Sequence, residues 1–136
     1  MTNGLRTVFW LHALAAFVFG VGYLFAPAFV AGVFDVDAGD LFVTRLYGVA
    51  TLALGVASVL AALATTYEQV DIVLRMEVFY TVAATLVCLY SIFFLSGAPI
   101  TWLAVGLFGV LALLFGYCAW QTRAQRRAEP GTPALR

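Results

Sequence analysis

Apolar residues fall into four long runs, roughly 7–30, 42–66, 72–96 and 100–121, separated by short polar or turn-forming stretches. Each run is about 22–25 residues long, and a helix of about 20 residues crosses a hydrocarbon core about 30 Å thick. Each therefore predicts a transmembrane helix. Four such helices with short connections take up residues 1–121 as one domain. Pro27 is expected to end the first helix, because proline breaks the helical hydrogen-bond ladder. "SGAP" at 96–99 is expected to make the tight turn before the fourth. Residues 122–136, "TRAQRRAEPGTPALR", read as a short basic tail without regular structure, its arginines held near anionic lipid.

Small and polar residues recur within these runs at helical spacing. In the second run Thr44, Gly48, Thr51, Gly55, Ser58, Ala62 and Thr65 alternate steps of four and three; in the fourth, Gly109, Ala112, Gly116 and Ala119 do the same. Lipid gives helices no hydrophobic reason to associate, so small side chains that permit close approach mark packing faces. The 3.5-residue repeat predicts left-handed packing near +20°. The third run carries Glu77, Thr81, Ala84, Cys88 and Ser91 in this rhythm, and His12, Ala16 and Tyr23 share a face of the first. The expected fold is an all-α integral membrane protein, an antiparallel four-helix bundle with Gly48, Gly55, Gly109 and Gly116 at helix contacts. The same seams could pair two protomers, which leaves a homodimer open.

Composition agrees with the pattern. The chain has 136 residues, 64% hydrophobic and only 10% charged, against about 25% charged in a soluble domain. A separate soluble catalytic module is excluded, and zero net charge offers no basic surface for nucleic acid. Charge placement sets the expected topology. There is no lysine, and Arg6, Arg75, Arg123, Arg126, Arg127 and Arg136 all fall on one side if both termini are cytoplasmic. Arg45 alone falls near the other side, beside the acidic loop holding Asp35, Asp37 and Asp40. By the positive-inside rule this predicts a multi-pass protein of a prokaryotic inner membrane with both termini in the cytoplasm. Trp10, Trp102 and Trp120 then lie at the interfaces. The first run exceeds the 7–15 apolar residues typical of a cleaved signal and is expected to stay as a span.

Candidate chemistry sorts by depth. His12 lies six residues past Arg6 and Glu77 six past Asp71, which puts both about 9 Å inside the cytoplasmic boundary at 1.5 Å per residue. A His12–Glu77 hydrogen bond follows, either as a proton-handling or headgroup-binding pair or as a structural contact between the first and third spans. Arg45 lies about 7 Å inside the opposite boundary, near the expected levels of Tyr23, Tyr90 and Ser91. It either snorkels to Asp40 and lipid phosphate, or lines a small cavity with the two tyrosines that holds an anionic or quinone-like headgroup. Arg75 follows Asp71 by four residues and reads as an anchored surface pair. Cys88 and Cys118 differ in depth by about 15–20 Å, too far apart for a disulfide. One histidine and no CxxC pair, glycine-rich phosphate loop or Ser-His-Asp set leave no metal site and no catalytic constellation within one chain.

"LHALAAFVFGVGYLFAP" on the first helix, followed by "TRLYG" and "LALG" on the second, resembles the DoxX-like group of small bacterial four-helix membrane proteins. The resemblance implies a fold of this kind, carried by Arg45 and Gly48, and for some members an association with membrane oxidoreductases and quinone chemistry. Nothing in this chain could hold a redox cofactor alone, so such a role would be accessory. The expected function is that of a non-catalytic membrane subunit, scaffold or lipid-binding partner, with membrane lipids, a second copy or a larger complex as partners. The alternatives are an accessory subunit of a quinone-linked oxidoreductase and a dimeric transporter of a small solute. No resident cofactor is expected, with quinone or lipid as the candidate ligands.

Overall fold

The computed structural model describes residues 2–33, 39–95 and 99–128, with side chains described as far as residue 124. The chain forms α1 (Asn3–Phe25), a short α2 (Pro27–Val33), α3 (Leu41–Leu63), α4 (Tyr67–Phe94) and α5 (Thr101–Ala128). Among the described residues α1, α3, α4 and the Thr101–Ala124 part of α5 are long and apolar enough to cross a membrane. The fold is thus an all-α, multi-pass membrane bundle of four antiparallel helices.

Helix boundaries follow local chemistry. α1 stops at Phe25 because Ala26 precedes Pro27 and leaves the helical region, at φ −135° and ψ 53°. Pro27 then opens α2, where its missing N–H costs nothing. This second short helix was not expected from the sequence. Asp40 caps α3, its Oδ1 accepting from Phe42 N at 2.8 Å and Val43 N at 3.4 Å. Asp40→Ala is expected to cost about 1 kcal/mol through the lost cap, read as a lower unfolding midpoint in detergent. Asp35, Asp37 and residues 96–98 of the expected turn lie outside the described residues. At the other end α5 continues through residues 122–128, where the sequence reading has the tail beginning. Alanine, glutamine and arginine propagate helix well, and arginines favour a helix C-terminus.

α1 packs chiefly on α3 and α4 on α5, and the two pairs join through α1–α5 and α3–α4. The four long helices therefore stand at the corners of a square, with α1 diagonal to α4. The α1–α3 contact is the tightest. A Cβ on Gly48 would fall 2.7 Å from Leu24 N and 2.9 Å from Gly20 O, so backbone meets backbone there. A Cβ on Gly55 would lie 3.2 Å from Ala16 Cβ. The α4–α5 pair is looser: at Gly109 an added Cβ would meet Thr85 only at 3.9 Å, and at Gly116 it would meet nothing within 4 Å. The two glycine seams of the sequence are thus used differently.

Large side chains fill only one half of the bundle. Leu5 and Phe9 of α1, Val70 and Leu74 of α4, and Leu111 and Phe115 of α5 form a core at the end where α1 begins and α5 ends. The Phe9 and Phe115 rings sit 5.3 Å apart. Outward residues are equally apolar: Ile72 is 79% exposed, and Phe79 and Leu113 are each 76% exposed. Such a surface is stable only against lipid.

Candidate functional site

A chain of three buried polar side chains crosses the centre of the square. His12 from α1, Ser58 from α3 and Glu77 from α4 are 4%, 0% and 0% exposed. The His12 Nδ1 is 2.8 Å from the Ser58 Oγ. The Ser58 hydroxyl donates to Glu77 Oε1 at 3.0 Å, and His12 Nδ1 itself lies 3.3 Å from that oxygen. Each residue reaches the centre because its helix turns a small-residue face inward: Ala16 and Gly20 on α1, Thr51 and Gly55 on α3, Thr81 on α4. Glu77 Oε2 is buried without a hydrogen-bond partner among the described residues.

The hydrogen bonds assign the histidine tautomer. Ser58 has one hydroxyl proton and gives it to Glu77 Oε1. The bond between Ser58 and His12 must then run from Nδ1–H to Oγ, with Glu77 reinforcing the proton on Nδ1. Nε2 is the polar atom His12 has left to offer to its surroundings. Phe115 packs edge-on against the ring, with centroids 5.7 Å apart, and holds its plane.

Directly beyond His12, away from the Phe9–Phe115 core, the helices line a half-open cavity of about 470 Å³. His12, Ala16, Phe19 and Tyr23 line it from α1, Tyr47 and Thr51 from α3, Tyr80 from α4, and residues from Ile100 to Leu111 from α5. From His12 to Tyr23 the α1 wall is about 16 Å long at 1.5 Å per residue. The tyrosines ring its upper part: Tyr23 meets Tyr47 edge-on with centroids 5.3 Å apart, and Tyr80 interacts with Tyr47. Tyr80 also packs edge-on against Phe108, 5.9 Å away. The Thr51 hydroxyl is already spent on the Tyr47 carbonyl at 2.9 Å. The cavity is mostly apolar, with an imidazole among its walls.

No family model, curated protein or solved structure matches this chain. The site must therefore be read from its own geometry.

The structure brings some of the sequence-selected residues together and separates others. His12 and Glu77 meet, across the diagonal of the bundle. Of the Arg45, Tyr23, Tyr90 and Ser91 group, only Tyr23 lines the cavity. Arg45 is exposed on the outer face of α3. Tyr90 is 54% exposed and stacks on Phe94 with centroids 5.1 Å apart. Ser91 is half-buried one residue further along α4. Arg75 pairs with Asp71 at 2.7 Å, and Cys88 and Cys118 are free thiols. Sequence reasoning missed Ser58 as the link between His12 and Glu77, and missed Tyr47 and Tyr80 as cavity walls. Ser58 could have been found, since seven residues separate it from Thr65 at the helix end, the same depth of about 10 Å. Among the described residues no group of three acidic, histidine or cysteine side chains could hold a metal ion.

Proposed function

We propose that this chain is a non-catalytic membrane protein that holds one apolar, lipid-like molecule between its helices, as a ligand-binding partner in an inner-membrane assembly with both termini cytoplasmic. The observation that carries this reading is the chamber of about 470 Å³, inside the 300–1,000 Å³ range of small-molecule sites. Its walls are aliphatic and aromatic with few polar atoms, which suits an apolar body. It also stands open beside a half of the bundle that is filled, so the space is not a consequence of poor packing throughout. The filled half counts against a solute path through one protomer, because Phe9, Leu74 and Phe115 occupy its axis. The DoxX-like resemblance is part of this proposal and would place the chain among small accessory membrane proteins.

The test is native mass spectrometry of the protein in nanodiscs formed directly from its own membrane. One co-purifying apolar molecule per chain is expected. Ala104→Phe, which fills the α5 wall of the cavity, should remove that molecule while leaving the protein monodisperse in detergent. A wild-type protein carrying no stoichiometric adduct, or a variant that keeps it, would overturn the reading.

A further inference from the structure

We propose that His12 is the recognition point for a neutral hydroxyl-bearing ligand, of the phenol class, bound head-inward with its apolar tail toward Tyr23. This rests on the cavity being a ligand site and goes on to name the head group and its direction. With the Nδ1 proton donated to Ser58, Nε2 is the ring nitrogen through which His12 can accept a hydrogen bond from an occupant. His12 lines the cavity and is 4% exposed, so that acceptor needs a donor from the occupant. An acyl chain end placed there would leave it unmet in an apolar surrounding, which is costly. A hydroxyl meets it.

The remaining walls select for what carries the hydroxyl. Phe19, Tyr23, Tyr47, Tyr80 and Phe108 surround the space with rings, and aromatic side chains favour edge-to-face and offset contacts with another ring. Among the described residues no cationic side chain lines the cavity, so a phosphate or carboxylate head has no partner in it. Arg45, the nearest candidate by sequence, is exposed and is not among the cavity's walls. Ser58 and Glu77 do not touch the ligand in this arrangement; they are positioning residues that hold the tautomer.

The experiment uses the full chain in nanodiscs and a 4-alkylphenol with a diazirine at the end of its alkyl tail. Photolysis should label residues at the end of the cavity far from His12, on the segment from Thr101 to Leu103 or at Tyr23. Unlabelled 4-alkylphenol should compete at least about tenfold better than its methyl ether, the worth of one hydrogen bond of about 1.4 kcal/mol. His12→Phe should abolish that preference while still accepting the ether. If the variant does not fold, the wild-type competition decides alone. Equal competition by phenol and ether overturns the proposal, and so does labelling near Leu107 to Leu111, which would mean the tail points inward. In both cases the cavity remains a ligand site. Labelling confined to residues outside the cavity overturns the head-group inference and the underlying reading together.

Discussion

Gly48→Leu is expected to prevent assembly of the bundle. At this position the α3 backbone lies directly on α1, and even one added carbon would stand 2.7 Å from Leu24 N and 2.9 Å from Gly20 O. Neither obstacle is a side chain that can rotate away, so the helices themselves must separate. Gly48→Ala alone should cost about 2–3 kcal/mol, the upper part of the range for overpacking. The leucine should leave no monodisperse peak on size exclusion in mild detergent. Gly116→Ala provides the control, because its added carbon meets nothing within 4 Å and should leave stability unchanged. If Gly48→Leu elutes and melts like the parent, the α1–α3 contact described above is wrong.

Glu77→Ala should produce the second large loss. It strips the Ser58 hydroxyl of its acceptor in a fully buried place, removes the oxygen beside His12 Nδ1 and opens a void on α4. Leaving a buried donor unmet costs about 1–3 kcal/mol, and the void left on α4 adds to that loss. Glu77→Gln keeps the shape and an acceptor oxygen for Ser58, and should lose only about 1–2 kcal/mol, the scale of one weakened hydrogen bond. Denaturant unfolding in detergent, followed by tryptophan fluorescence, measures both. Equal losses for the two variants would mean that volume rather than hydrogen bonding matters at residue 77.

How much of this was legible in the sequence depends on what each feature needs. Four spans are written in hydropathy and length, and they emerge nearly where expected, because nothing but helix can satisfy backbone groups in lipid. The meeting of His12 and Glu77 could be reached by counting residues from flanking charges, since helical rise converts number to depth. Depth says nothing of rotation about the bundle axis, however. Arg45 and Tyr90 have suitable depths for a shared site, yet both are exposed and neither lines the cavity. The seams show a related limit. A heptad of small residues marks a face that could approach a neighbour closely, and α3 uses its seam against backbone. α5 holds a similar face away from α4 at Gly116, because which neighbour lies opposite is a tertiary matter. The cavity was least legible of all. It is defined by where Tyr47, Tyr80 and Phe108 stand relative to one another, and no periodicity within one helix encodes that.

The close fit of α1 on α3 bears on how the chain is made. These two spans leave the ribosome before α4 and α5, and every group in their tightest contact, from Gly20 and Leu24 to Gly48 and Leu52, is synthesised before α4 exists. The amino-terminal hairpin can therefore be paired while the rest is still being translated. His12 and Ser58 meanwhile wait together for an acid supplied only by the third long helix. Arrival of Glu77 completes their hydrogen bonding, so the polar contact can form before α5 brings Leu111 and Phe115 to the apolar core.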